Sequence, residues 1–102
     1  MTLVGLAQNE LDLIVGVFRS HPEVVAARIF GSRAKGTHTP RSDVDLAVWG
    51  DVDDLTAARI AADLDELPLP YHFDVKPVAT IGLPALREHI DRVGVLVYPP
   101  DR

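Results

Sequence analysis

Asp43 and Asp45 stand two apart in Ser42-Asp43-Val44-Asp45-Leu46, and Asp74 follows in Tyr71-His72-Phe73-Asp74-Val75-Lys76. Residues two apart on a β-strand project to the same face. On a strand, Asp43 and Asp45 are therefore side by side, roughly 6–7 Å apart along the backbone. Two anions so placed repel each other unless a cation lies between them. Mg²⁺ prefers oxygen ligands and commonly takes one or two carboxylates together with substrate phosphates. If the strand carrying Asp74 lies beside the first, a third carboxylate joins the pair, and three can hold two Mg²⁺ ions roughly 3.5–4 Å apart. One ion would activate an attacking group and the other would steady a leaving pyrophosphate. Asp74, coming from the second strand, is the candidate general base.

Phe30-Gly31-Ser32-Arg33-Ala34-Lys35-Gly36 supplies the complement. A strand ending in Gly31-Ser32 and opening into a helical turn presents free backbone N–H groups to an anion. Gly31 lets a triphosphate approach the main chain, and the Ser32 hydroxyl can donate to a phosphate oxygen. Arg33, Lys35, Arg41 and Lys76 are nearby cations. Gly31, Ser32, Arg33, Ser42 and Lys76 form the expected nucleotide-binding set.

Several elements must hold these groups. Leu11, Ile14, Val15 and Phe18 recur at helical spacing and predict a helix over Gln8–Arg19. It ends before Pro22, which disfavours helix in the preceding residue. Val24–Phe30 reads as a strand, and Ser42–Val48 as a second, with Val44, Leu46 and Val48 on one face and Asp43, Asp45 and Ala47 on the other. Asp53 or Asp54 caps a helix reaching about Leu67, with Leu55, Ala58, Ala62, Ile60 and Leu64 as its expected buried side. Tyr71–Val78 is a third strand with His72, Asp74 and Lys76 on one face. Pro84 opens a helix to Val93, stopped by Gly94, and Val95–Tyr98 is a last short strand. The order α-β-β-α-β-α-β predicts a small mixed sheet backed by helices, of α/β or α+β class.

The 102 residues suit one compact domain. Nearly half are apolar (47%) and a quarter charged (25%), as in ordinary globular proteins. With no cysteine there is no disulfide, thiolate nucleophile or cysteine-bound zinc, which fits a reducing cytoplasm, the expected location. The N-terminal stretch has no basic n-region and reads as an amphipathic helix rather than a signal peptide, and no apolar run approaches membrane-spanning length. A net charge of −5 argues against direct nucleic-acid binding, which usually begins with surplus Lys and Arg.

Some of these features have blander readings. Taken alone, Asp43 and Asp45 would be solvated strand residues, and Asp74 a surface partner for Lys76. Asp51-Val52-Asp53-Asp54 reads as a helix cap rather than a second metal site. His21, His38, His72 and His89 are scattered, and only His72 shares the Asp74 face. Trp49 reads as packing at a strand end.

Taken together, Gly31-Ser32, Gly36 and Ser42-Asp43-Val44-Asp45-Leu46 resemble the GS…G…SDxDL motif of the polymerase-β-like nucleotidyltransferase superfamily. In so short a chain, they resemble its minimal nucleotidyltransferase (MNT) members. The resemblance covers almost the whole chain, because the third-aspartate strand also falls in the family's order. It implies a polymerase-β-like fold in a single domain, residues 1–102. It also implies that Gly31 and Ser32 handle the triphosphate, Asp43 and Asp45 bind two Mg²⁺ ions, and Asp74 completes the metal site and activates the acceptor. The family further implies ATP as substrate and a HEPN-domain toxin as partner in a hetero-oligomer. The MNT antitoxin of such pairs transfers AMP to a tyrosine of the toxin. Two alternatives stay open. One is an antitoxin that neutralises a HEPN ribonuclease by binding alone, which does not require the carboxylates. The other is a small-molecule nucleotidyltransferase, whose relatives add a second domain for the acceptor.

Overall fold

The computed structural model describes residues 2–3, 5–31, 33 and 43–100. A two-residue hairpin, β1 (Thr2–Leu3) with β2 (Leu6–Ala7), leads into α1 (Gln8–Arg19). Then follow β3 (Val24–Phe30), β4 (Val44–Gly50), α2 (Asp54–Asp65), β5 (Phe73–Pro77), a 3-10 turn (Val78–Thr80), α3 (Pro84–Val93) and β6 (Val95–Tyr98). The main sheet has four strands in the order β5-β4-β3-β6. β3 runs antiparallel to both β4 and β6, whereas β4 and β5 are parallel. This is the mixed sheet expected.

Alternation along the strands divides the sheet into two unlike faces. Ala27, Ile29, Val44, Leu46, Val48 and Phe73 pack beneath α1 and α2, which contribute Leu11, Ile14, Phe18, Ala57, Ile60 and Leu64. Leu46, Ile14, Phe18, Ile60 and Leu64 are fully buried. On the opposite face, Phe30, Ala47, Val78 and Ile90 make a smaller cluster under α3, joined by Trp49, Ile81 and Leu86. Among the described residues, no helix is long and apolar enough to cross a membrane.

The helix ends follow capping chemistry. Ala7 has no side-chain acceptor, so Glu10 supplies the cap of α1, its Oε1 accepting from the Ala7 N–H at 2.9 Å. The Asp53 side chain accepts from the Thr56 N–H at 2.8 Å and starts α2; this holds the Asp53 carboxyl below the ordinary carboxylate range. His21 and Asp63, 2.7 Å apart, tie the turn before β3 to α2.

α1, β3, α3 and β6 keep their expected bounds, whereas four details differ. The N-terminal hairpin has no counterpart in the expected order, its strands being too short to show a period. β4 begins at Val44, where its partner Phe73 begins β5, and extends to Gly50. Gly50 has φ +133, and a Cβ there would run into the Glu23 carbonyl. β5 is shorter than Tyr71–Val78, and Val78 turns into the 3-10 segment to pack under α3. The buried stripe of α2 is Ala57, Ile60 and Leu64. Leu55 is 61% exposed, and Ala58 and Ala62 are exposed too. Two residues are about 200° of helical turn, so the stripe through Leu55, Ala58 and Ala62 faces away from the one that packs.

Candidate active site

The parallel register of β4 with β5 sets Asp45 directly beside Asp74, and Ala47 beside Lys76. Both aspartates leave the sheet on the face opposite α1 and α2, at the end where β4 and β5 begin. Asp43 lies one step before β4 and is exposed. Adjacent strands are separated by about 4.8 Å, so Asp45 has a carboxylate neighbour across the sheet as well as one along the chain. Burial raises the Asp45 pKa above its ordinary value, and the negative charges of Asp74 and Asp43 raise it further, against a lowering by Lys76. Lys76 and Asp74 form an ion pair at 3.4 Å, with both side chains half-exposed.

The strand before the glycine turn delivers the second part of the site. Phe30, the last residue of β3, pairs with Asp45. Gly31 follows in a left-handed conformation, φ +76, and a Cβ on it would lie 2.5 Å from Asp45 Oδ2. A side chain at 31 would thus be strained in its backbone and would collide with the carboxylate. The two motifs are in physical contact through the missing Cβ.

Arg33, expected in the nucleotide-binding set, is a buried cation. It is 2% exposed, with its guanidinium over the Tyr71 ring, 4.7 Å from the centroid. The Tyr71 hydroxyl donates to Glu10, at 3.0 Å from Oε2 and 3.2 Å from Oε1. Burial, then the Glu10 hydrogen bond and charge, push the Tyr71 hydroxyl above its ordinary pKa. A desolvated cation–π contact is worth about 2 kcal/mol, which offsets part of the cost of burying the guanidinium. Ser32, Lys35, Gly36, Arg41 and Ser42 lie outside the described residues. His72 is exposed, and its carbonyl accepts from the Val44 N–H at 2.9 Å. Trp49 packs near α3, with Arg28 over its ring at 5.4 Å.

As they stand, no three carboxylate or histidine side chains among the described residues come close enough together to hold a metal ion. Asp43, Asp45 and Asp74 keep to the spacing of the sheet, and Asp74 is drawn to Lys76. The donor set nonetheless fits Mg²⁺: hard carboxylate oxygens on adjacent strands, with mutual repulsion at Asp45 that a divalent cation would relieve. Beyond Lys76, at the β5 edge of the sheet, the surface hollows into a groove of about 330 Å³ lined by Asp54, Pro77, Thr80, Ile81 and Leu83.

Residues 12–102 match the family model "Polymerase beta, Nucleotidyltransferase". The chain belongs to this nucleotidyltransferase family. No curated protein matches it by sequence. Among solved structures, a toxin–antitoxin with AMP-PNP is similar at TM-score 0.74 and 22% identity, over 86% of this chain and 72% of that one. A tri-AMPylated Shewanella oneidensis HEPN toxin in complex with an MNT antitoxin is similar at TM-score 0.69 and 19% identity, over 89% of this chain and 71% of that one. A nucleotidyltransferase from Sulfolobus solfataricus gives TM-score 0.52 and 21% identity, over 84% and 73%. At such identities the likeness is one of fold.

Tyr71 and Glu10 are the site-adjacent residues that sequence reasoning missed. An acid in a first helical turn and an aromatic before a strand are ordinary features, and neither lies in a motif.

Proposed function

We propose that the whole chain is one Mg²⁺-dependent nucleotidyltransferase domain that moves AMP from ATP to a hydroxyl, a tyrosine by preference, of a HEPN-domain toxin. On this reading it is the antitoxin of the pair, working in the cytoplasm in a hetero-oligomer with its target. The observation that carries the chemistry is the register that sets Asp74 beside Asp45, with Gly31 against the Asp45 carboxylate. The similarity to toxin–antitoxin complexes, one with AMP-PNP and one with an AMPylated toxin, supports the choice of nucleotide and partner.

Asp43, Asp45 and Asp74 would hold Mg²⁺, which when bound supplies neutralisation of the triphosphate and of the departing pyrophosphate. Gly31 and Ser32 bind phosphate oxygens, with Ser42, Arg33 and Lys76 as the further nucleotide set. As placed, Arg33 contributes through its charge and its hold on the turn rather than by touching solvent. The acceptor oxygen attacks the α-phosphorus, the bond to the β-phosphate oxygen breaks, and pyrophosphate leaves. Asp74 takes the acceptor proton and becomes neutral, which leaves Lys76, its ion-pair partner at 3.4 Å, available as a cation to phosphate oxygens. The triphosphate lies toward β3 and the acceptor toward β5, where the groove past Lys76 receives it.

The test is to incubate the protein with the product of the adjacent gene, Mg²⁺ and α-labelled ATP, alongside an Asp43→Ala/Asp45→Ala variant. Label on the neighbour with wild type alone is expected. Inhibition of the neighbour that survives the double substitution without label would establish binding alone instead. Label from γ-labelled ATP only would make the reaction phosphorylation and overturn the proposal.

A further inference from the structure

We propose that Arg33 is a positioning residue: seated on the Tyr71 ring, whose hydroxyl is anchored by Glu10, it holds the Gly31 turn in place against the strands carrying Asp45 and Asp74. The inference rests on reading that turn as the triphosphate site.

Arg33 follows Gly31 by two residues in the chain, and its guanidinium is almost completely removed from solvent. An uncharged side chain of similar volume would fill such a place at lower desolvation cost. Its base is a strut reaching three elements. Tyr71 precedes β5 by two residues and touches Phe73 edge to face, with ring centroids 6.5 Å apart. Phe73 pairs with Val44, so the aromatic pair abuts the start of both carboxylate strands. The Tyr71 hydroxyl is fixed on both oxygens of Glu10, and Glu10 is itself fixed on the Ala7 N–H at the start of α1. A swing of the whole Tyr71 side chain would therefore break contacts at Glu10 and at Arg33 together. The guanidinium is planar and lies over the ring, so it ties the chain two residues past Gly31 to Tyr71. Gly31 in turn sits in contact range of Asp45, and a shift of the turn reaches the carboxylate directly. Arg33 thus acts on the site without touching the reacting atoms.

The test compares wild type with Arg33→Met, Arg33→Lys, Tyr71→Phe and a core control, Val97→Ala. The readouts are thermal stability, the dissociation constant for AMP-PNP with Mg²⁺, and hydrogen exchange of the Gly31 and Arg33 or replacement amides by NMR. For Arg33→Met the expected result is a roughly ten- to hundredfold weaker dissociation constant, the range seen when groups supporting a site are removed. Faster exchange at Gly31 should accompany it. Tyr71→Phe keeps the ring but releases Glu10, and should show a smaller change of the same kind. Arg33→Lys should fall between, and serves if Arg33→Met does not fold. Equal AMP-PNP affinity in all variants, or losses no larger than those of Val97→Ala at matched stability, would overturn the inference and leave Arg33 as scaffold. Wild type that takes up no AMP-PNP would instead sink the nucleotide reading itself, and this inference with it.

Discussion

The two faces of β4 are built from alternate residues of one stretch, and they meet opposite surroundings. Val44, Leu46 and Val48 lie beneath two helices in the apolar cluster. Asp45, Ala47 and Trp49 face the other way, where α3 and the 3-10 turn cover Ala47 and leave Asp45 half-buried beside Asp74. A shift of one residue thus separates holding the fold together from presenting charge. The charged end is tolerated because the covered face carries the fold: like charges on Asp45, Asp74 and Asp43 oppose one another, and the apolar layer outweighs them. Adjacent substitutions should accordingly fail in different ways.

The largest contrast is in activity. Asp45→Ala is expected to lower nucleotidyl transfer by about a thousandfold or more, the scale on which preorganised charge stabilisation operates, while the protein stays folded. Transfer within tenfold of wild type, measured with labelled ATP, would move the chemistry off this face. Its neighbour Leu46→Ala should do the reverse. With a fully buried side chain removed, stability should fall by about 2–5 kcal/mol in urea unfolding, and the folded fraction should keep its affinity for AMP-PNP. A cost under about 1 kcal/mol would deny that this face is tightly packed.

Gly31→Ala joins the two effects. The left-handed backbone alone costs about 1–2 kcal/mol with a side chain present, and the new Cβ would push on Asp45 Oδ2. Transfer per folded molecule should therefore drop as well. Loss of stability with unchanged transfer would separate the turn from the carboxylate.

The smallest effect is one of pH. Asp45 has a pKa raised from 3.8 in the folded protein. Its contribution is thus fully favourable below that unfolded value and is lost as pH rises through the folded one. In chelator, Asp45→Asn should match wild type in thermal stability near the acid limit and exceed it at neutral pH. Equal stabilities at neutral pH would deny the charge crowding.

Much of this division is readable in the chain itself. The alternation of Val44, Leu46 and Val48 with the aspartates states which side is which. The spacing in Tyr71–Lys76 puts Asp74 and Lys76 together, whatever the partner strand. The register that pairs Asp74 with Asp45 is not readable, since it depends on how the chain crosses through α2. The short hairpin at the N-terminus has too few residues to show a period. The α2 stripe is readable in part: Ile60 and Leu64 are buried as expected, whereas Leu55, Ala58 and Ala62 are also at helical spacing, and only the position of the sheet selects Ala57 over them. The placement of Arg33 is unreadable for another reason: nothing local announces that Tyr71, far along the chain, will lie against its guanidinium.

The parallel pairing of β4 with β5 also governs timing during synthesis. A ribosome that has released the chain only through α2 has delivered the glycine turn and the first two aspartates, but their counterpart on β5 is still unmade. A truncated or stalled product would carry the signature motif and lack Asp74. On the role proposed for Asp74, transfer to a target would certify that the chain had been translated past β5 and that its edge strand had docked.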